Sequence, residues 1–424
     1  ITTDTLFGKT DFETAARIPI RLAVESEDGA QFRHQERSLQ LYQSYKLVKD
    51  SSDLSKPQIT LSNALTFETN FYKFGDVLNE GDLGFYPTSF QINPQGLRMY
   101  IDERVYSNHF KVFLGKSVNP LDSASRKTHI EAGLKLKSHS INDEVTEQNI
   151  FDIMVTGGGL IDLGSSVTLF TDNHFVVAGD NAGAYKIEGN FLIDLQKLGI
   201  LKAFLLNQNR PASIIHQRAP ISGQYLWQNA FDNINELSIG ATYGIQSLKA
   251  EVGFGYHLLN NFVYFDENFA PAQKGSEISI LQLSLTKNFR VGKFHLDNYG
   301  VYQNSSSGDL PLPTFFSKHS LYFEGPVFKK KMLLRSGFEA RMVDGYTGYS
   351  YMPLLGQFSP NRSDDIESLS QLDFFLSFKV GQMRVFTKME HLEDFFQTKK
   401  EYFVTDYPIY DKVFRFGLSW YLIN

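Results

Sequence analysis

The chain has 424 residues, no cysteine and a formal net charge of −6. The lack of cysteine excludes a disulfide scaffold, a cysteine-ligated metal and a cysteine nucleophile. The mild acidity argues against a nucleic-acid-binding protein, which would carry a basic patch. No stretch approaches the roughly 18 apolar residues of a transmembrane helix, and no signal peptide opens the chain, so we expect a mature form.

Alternating apolar and polar residues predict β-strands from near the start of the chain. Residues 1–12 are predicted to be a periplasmic segment that precedes the first strand. The pattern is weakest over 73–107, which we predict to be a long connection with room for extra strand beyond the membrane. In this part the predicted strands are 13–25, 38–48, 58–72, 108–115 and 127–139.

The alternation is regular over the rest of the chain. Between 237 and 245, for example, Leu, Ile, Ala, Tyr and Ile occupy one face and Ser, Gly, Thr and Gly the other. The last segment places Phe414, Phe416, Leu418 and Trp420 on a single face. The predicted strands are 150–162, 166–178, 184–196, 199–210, 233–245, 247–260, 278–290, 293–304, 317–327, 331–343, 369–380, 383–394 and 413–423.

The connections between these strands alternate in length, with tight turns on one side and long polar loops on the other. This asymmetry is typical of a transmembrane, up-and-down antiparallel β-barrel. We therefore predict an all-β chain with 16–18 strands, and 18 as the best count. Residues 13–424 would form a single domain in a bacterial outer membrane. An even count would place both termini in the periplasm.

In such a barrel the apolar face meets lipid and the polar face lines the interior. Charges of both signs occur on the polar face, so the interior should be wet or filled by an inward-folded loop that supplies partners. A selectivity role and simple solvation of the wall both remain open for these residues. The candidate pore-lining residues are Glu131, Lys135, Lys186, Glu188, Glu236, Lys249, Glu251, Arg335, Glu339, Arg341, Asp373, Lys379, Arg384, Lys388, Glu390 and Arg415.

Enzymatic chemistry has little support in the sequence. The polar-face histidines His129, His257 and His295 lie at unrelated strand positions, and nothing places a nucleophile next to a base. We predict no catalytic residue, no metal site and no cofactor.

Several segments resemble the putative porin family of Bacteroidota outer membranes. They are the glycine-rich stretch Gly157 to Gly189, Asn209-Arg210-Pro211, Tyr225 to Asn229, Leu310 to Pro313, Tyr346 to Phe358, Tyr407-Pro408 and Phe414 to Gly417. The resemblance covers roughly 30–424 and implies an outer-membrane barrel, but it transfers no catalytic or substrate-binding residue. Asp122-Ser123-Ala124 and Asp4-Thr5-Leu6 also resemble the O-glycosylation sites of Bacteroidota.

Two functions follow as hypotheses. The first is a water-filled pore for passive diffusion of small hydrophilic solutes. The second is a non-conducting subunit of a larger outer-membrane assembly for secretion, protein insertion or nutrient uptake, with its lumen plugged by loops, most plausibly 73–107 or 211–232. The expected partners are outer-membrane lipid and lipopolysaccharide, the barrel-assembly machinery through strand 413–423, and other membrane proteins, but no nucleic acid.

Overall fold

The fold is described from a computed structural model, which covers residues 30–47, 58–77, 86–91, 93, 96–115, 128–396, 402–405, 407–410 and 412–420. In chain order the strands are β1 (Gln31–Lys46), β2 (Gln58–Asp76), β3 (Leu97–Gly115), β4 (His129–Asp143), β5 (Glu147–Asp162), β6 (Val167–Gly179), β7 (Tyr185–Asp194), β8 (Ile200–Arg210), β9 (Arg218–Ile221), β10 (Gln224–Gln228), β11 (Ile234–Ile245), β12 (Ala250–Asn260), β13 (Phe262–Phe265), β14 (Pro271–Lys274), β15 (Ile278–Val291), β16 (Phe294–Ser305), β17 (Phe315–Val327), β18 (Met332–Val343), β19 (Tyr346–Met352), β20 (Gln357–Ile366), β21 (Leu369–Val380), β22 (Met383–Glu390), β23 (Tyr402–Val404), β24 (Tyr407–Pro408) and β25 (Val413–Trp420).

Helical structure is limited to the connections in the described part of the chain. No helix there is long and apolar enough to cross a membrane. The helical elements are α1 (Ile214–Gln217) and single 3₁₀ turns at Thr88–Phe90, Gln196–Leu198, Gln246–Leu248 and Leu392–Phe395.

Seventeen of these strands form one antiparallel meander in which each strand pairs with the next. The prediction of an all-β chain built from one large antiparallel sheet is confirmed. The predicted strand 13–25 lies outside the described residues, so the count of 18 stays a prediction. The possible glycosylation sites at 4–6 and 122–124 also lie outside them.

The remaining strands lie in the long connections. Strands β9 and β10 join the main sheet beside β3, through the pairing of Met99 with Ile221. Pairs β13–β14, β19–β20 and β23–β24 form separate two-stranded sheets. The long loops predicted as polar connections are therefore partly folded.

At the opposite end of the sheet, turns of two to five residues join the strands from β5 onward, whereas the β1–β2 and β3–β4 connections are longer. The two-residue turn between β15 and β16 begins at Gly292 with φ +61°, and the turn between β21 and β22 begins at Gly381 with φ +56°. Two-residue hairpin turns require a positive φ at this position, which glycine adopts without steric cost. The tight turns predicted at these two places are confirmed.

Three predicted details are wrong. Strand β3 starts at residue 97, not 108. The prediction missed its first half because charged residues at 98, 102 and 104 interrupt the apolar pattern there. Strands β4 and β5 continue until they meet in a turn of only three residues, 144–146. Lys249 lies in the turn before β12, with φ +47°, and not within a strand.

The main sheet has one apolar face and one polar face. Large apolar side chains such as Leu39, Val252 and Phe416 stand exposed on the apolar face, at 72%, 50% and 66%. The polar face carries the charged and hydroxyl residues at the intervening positions. The main buried core lies at the long-loop end, where loop residues pack against the polar face. The sheet itself therefore has no apolar core between two layers, unlike a β-sandwich.

Candidate functional site

The polar face gathers most of the predicted pore-lining residues. Strand register places 15 of the 16 candidates on this face, with Lys249 in its turn as the exception. The alternation in the sequence therefore identified the correct face. Their role in lining a passage stays a prediction at this point.

The most connected group on this face crosses five strands, β17 to β25. Positive and negative side chains alternate in it, and each contacts the next. Lys318 Nζ lies 2.9 Å from Glu339 Oε2, Lys388 Nζ lies 2.7 Å from Asp373 Oδ2, and Arg415 Nε lies 2.7 Å from Glu390 Oε2. Arg341 joins Glu339 to Asp373, and Lys388 contacts Glu390 at 3.2 Å. We call this group the charge ladder: Lys318, Glu339, Arg341, Asp373, Lys388, Glu390 and Arg415.

Asp373 is the centre of the charge ladder. Its side chain is fully buried, and it accepts hydrogen bonds from Gln371 Nε2 at 2.9 Å and from the backbone N–H of His391 at 3.2 Å. A buried carboxylate is tolerable only with such partners, because the cost of removing its charge from water is several kcal/mol. The rest of the ladder keeps contact with solvent, since the Arg415 side chain is 58% exposed.

Smaller polar groups occupy the other half of the same face. Lys111 Nζ contacts Glu131 Oε1 at 2.7 Å, and Lys186 Nζ contacts Glu188 Oε2 at 2.6 Å and Asp172 Oδ2 at 3.3 Å. A cavity of about 380 Å³ lies against this wall, and Lys111, Glu131 and Asp172 are among its lining residues. Both charge signs are thus distributed around the whole polar face.

One Ser–His contact on this face invites comparison with a catalytic pair. His257 Nδ1 lies 2.8 Å from Ser238 Oγ, and Ser238 Oγ donates to Glu236 Oε1 at 2.9 Å. Since the serine hydrogen is directed at Glu236, His257 must donate to Ser238 and cannot act as its base. Ser238 is also buried. The contact is therefore structural, and His129 and His295 lie on other strands.

The long loops form a cap that packs against the loop end of the polar face. Its apolar core joins Phe74, Met99, Ile101 and Ile141 of strands β2 to β4 to residues from four loops. The loop residues of this core, which we call the loop cap, are Tyr86 and Phe90 from the β2–β3 connection, Ile215, Ala219 and Ile221 from the β8–β11 connection, Phe265 and Phe269 from the β12–β15 connection, and Met352, Leu354 and Leu355 from the β18–β21 connection.

The β8–β11 connection is held to strands β4 and β5 by a buried ion pair and a hydrogen bond. Arg218 Nε lies 3.1 Å from Asp143 Oδ2 of β4, and the Arg218 guanidinium donates to Gln148 Oε1 of β5 at 2.7 Å. The side chains are only 9% and 1% exposed. Tyr225 Oη also donates to the Asp143 carboxylate, at 3.1 Å. The prediction that 211–232 could fold inward is supported by these contacts with strands three to five positions away in the sheet.

The β18–β21 connection reaches the same wall. Tyr72 Oη of β2 lies 2.8 Å from the carbonyl oxygen of Leu354 and 3.0 Å from that of Pro353. Tyr349 Oη donates to the carbonyl oxygen of Pro311 at 2.8 Å, and burial raises the pKa of Tyr349 to about 12, so it remains a neutral donor. The loops therefore support one another as well as the sheet.

Two titratable groups in the loops have pKa values that are shifted by their surroundings. Burial of the ring, with a smaller contribution from the positive charge of Arg210, lowers the pKa of His216 to about 4. The neutral ring stacks on Phe265 at 4.5 Å. Burial alone would raise the pKa of Asp309, but hydrogen bonds from Lys274 and Ser307 and the charge of Arg362 lower it.

Sequence reasoning missed Arg218 and Asp143 as a functional pair. The sequence did carry a signal, since the connection contains the apolar residues Ile214, Ile215 and Ile221. A connection surrounded by solvent would not require them. Apolar residues in a long loop indicate that the loop packs against something. The sequence alone does not tell which wall receives it.

Comparisons with known proteins agree with this architecture. The family model described as "Putative porin" matches residues 1–424. No curated protein matches the chain.

Several solved structures have a similar fold. The FrpB iron transporter from Neisseria meningitidis (F3-3 variant) has a TM-score of 0.52 at 11% identity, over 93% of this chain and 69% of that one. The ferric enterobactin receptor PfeA from Pseudomonas aeruginosa gives 0.53 at 10% identity, over 93% and 79%. The siderophore receptor PirA from Acinetobacter baumannii gives 0.53 at 9% identity, over 94% and 78%. At such identities the likeness shows the fold alone, an outer-membrane β-barrel.

Proposed function

This chain belongs to the putative porin family, and from that premise we propose that it forms a weakly selective, water-filled outer-membrane pore for small hydrophilic solutes. In this proposal the polar face lines the passage and the loop cap narrows one end of it. The observation that carries the proposal is the pairing of an exposed apolar face with a charged, solvent-accessible polar face.

A contact between distant parts of the sheet supports the proposal. Strands β2 and β21 are the second and fifteenth of the meander, so in a flat sheet they would lie about 60 Å apart at roughly 4.8 Å per strand. Tyr72 of β2 nevertheless contacts Leu354 in the connection that leads to β21. The sheet must curve around its polar face for this contact to form. A barrel of 16–18 strands is wide enough for an aqueous channel.

The solvent access of charged residues supports a wet interior. The side chains of Lys318 and Arg335 are 41% and 48% exposed although both lie on the polar face. A dry interior would impose a desolvation cost of several kcal/mol on each of these ions. Charges of both signs along the wall are expected to give weak ion selectivity.

Planar-bilayer recording tests the pore directly. The purified chain, inserted at single-molecule dilution, is expected to give discrete conductance steps with a small preference between K⁺ and Cl⁻. Detergent at the same dilution is the control. If the folded chain inserts and no step exceeds that control, the passive pore is wrong.

The sidedness of the barrel is part of the proposal, with the long loops outside and both termini in the periplasm. The chain has no cysteine, so single cysteines can report it. Asn268→Cys in a loop should react with an impermeant maleimide on intact cells, whereas Lys331→Cys at the turn end should react only after the cells are broken. The reverse labelling pattern would invert the proposed orientation.

A second candidate function is a subunit of a larger outer-membrane assembly, including one for nutrient uptake. It is favoured by the loop cap, which packs against the loop end of the polar face, and by exposed loop aromatics such as Phe358, Phe396 and Tyr410 that offer a contact surface. Purification in mild detergent distinguishes the two candidate functions, since this one requires a stoichiometric partner.

Strand β25, with Phe414, Phe416 and Trp420 exposed, remains the proposed contact for the barrel-assembly machinery.

A further inference from the structure

On β1, β2 and β3 the side chains of the apolar face change from apolar to charged toward the loop end of the strands. Leu39, Phe67 and Tyr106 pair across the three strands in one row. The next outward-facing row toward the loops is Arg37, Thr69 and Arg104. The outward-facing side chains thus change from apolar to cationic within two residues of each strand. We expect the lipid headgroups to begin at this boundary.

A cluster of cations lies on the loop side of this boundary. We call it the basic patch; it consists of Arg33, Arg37, Lys73, Arg98 and Arg104, all exposed. Arg104 is paired with Asp102 at 2.7 Å and Arg98 with Glu144 at 2.9 Å. Arg33, Arg37 and Lys73 form no ion pair with any carboxylate among the described residues.

An apolar groove continues from the basic patch toward the middle of the sheet. A concavity of about 480 Å³ includes Arg33, Arg37, Arg104 and Phe67, and an adjoining one of about 360 Å³ includes Leu39, Leu65 and Phe151. Phe67 and Tyr106 line both, so the two form one continuous groove. The groove is charged at its loop end and hydrocarbon-like at the other.

This composition is local to one side of the barrel. On β8, β11, β12 and β16 the apolar face ends toward the loops in uncharged asparagines, namely Asn209, Asn235, Asn260 and Asn304. On these strands uncharged residues are therefore polar enough for the membrane surface. The cations of the basic patch need a separate explanation.

We propose that this groove binds a phosphorylated glycolipid of the surrounding leaflet, with its phosphates on the basic patch and its acyl chains along the apolar groove. Guanidinium groups bind phosphate through paired hydrogen bonds. Arg33 and Arg37 are separated by four residues of strand, about 13 Å, which is wider than a single phosphate and fits a headgroup with two. The proposal rests on the outer-membrane placement and is independent of conductance.

The test compares two triple variants of the full chain in detergent. The first, Arg33→Gln/Arg37→Gln/Lys73→Gln, removes the three cations that have no ion-pair partner among the described residues. The control, Lys197→Gln/Lys330→Gln/Lys331→Gln, removes three exposed cations at the turn end. Circular dichroism and protease resistance confirm that each variant is folded before binding is measured.

Binding of purified diphosphoryl lipid A is measured by native mass spectrometry, with phosphatidylcholine as the uncharged-headgroup comparison. We expect lipid A affinity to fall about 100-fold in the first variant, at about fivefold for each cation removed. The control variant should bind as the unaltered chain does. Equal binding by both variants, or equal binding of phosphatidylcholine and lipid A to the unaltered chain, overturns the proposal.

Discussion

Replacing Arg218 by alanine is expected to release the β8–β11 connection from strands β4 and β5 and to increase the conductance of the barrel. Arg218 and Asp143 form a buried pair, and removing Arg218 leaves the buried Asp143 carboxylate without a positive partner, with hydrogen bonds only from Tyr225 and from the backbone N–H groups of Val145 and Thr146. That costs about 3–5 kcal/mol. Since each 1.4 kcal/mol is a factor of ten, the cap should shift from closed to largely open. Single-channel recording would show larger steps than the unaltered chain.

Arg98→Ala is the matched control for this prediction. Arg98 also pairs with a carboxylate of the β4–β5 hairpin, Glu144, at 2.9 Å; the Glu144 side chain is 9% exposed, but that of Arg98 is 65% exposed. Among the described residues only the backbone of Arg98, and not its side chain, forms a hydrogen bond with the β8–β11 connection. The conductance of this variant should therefore not change. If Arg218→Ala folds normally and its steps equal those of Arg98→Ala, the ion pair does not hold the cap closed.

Replacing Asp373 by asparagine is expected to lower stability and to shift ion preference toward anions. The charge ladder has four cations and three anions, so its net charge rises from +1 to +2. The buried amide keeps the shape of the carboxylate but leaves Lys388 and Arg341 without their shared negative partner. We expect the free energy of unfolding to fall by about 3 kcal/mol, and the bilayer reversal potential to move toward that of Cl⁻.

Two variants make this prediction specific. Asp172→Asn removes the same charge from the polar face, but the Asp172 side chain is 51% exposed, so stability should be nearly unchanged. Adding Lys388→Gln to Asp373→Asn returns the ladder to +1 and should restore the reversal potential. A double-mutant cycle over these two positions then gives their coupling energy. If Asp373→Asn alone leaves the reversal potential unchanged, the charge ladder does not lie in the conduction path.

The sequence predicted those features of the fold that depend on the residues of a single strand. Alternation along β11 or β25 reports which side chains share a face, because successive strand residues point to opposite sides. The same logic failed in the first half of β3, where the charged residues Arg98 and Arg104 are exposed on the same face as Tyr106. The alternation of apolar and polar residues is interrupted there.

The pairings within the site depend on the register between strands and on loops that cross the sheet. The sequence placed Asp373, Lys388 and Arg341 on one face but could not show that Asp373 is buried between the other two. Likewise, Arg218 and Asp143 lie 75 positions apart, and no local pattern links them. Such contacts depend on how distant strands and loops come together, which no single segment encodes.

The contacts of the loop cap also set an order for folding. Tyr72 and Leu354 are 282 positions apart in the chain, and closing a loop of that length before the intervening strands pair would carry a large entropic cost. Contacts between distant segments form late for the same reason. The barrel should therefore assemble in the membrane with its lumen unobstructed, and the cap should dock only afterwards, as the last and slowest cooperative step of maturation.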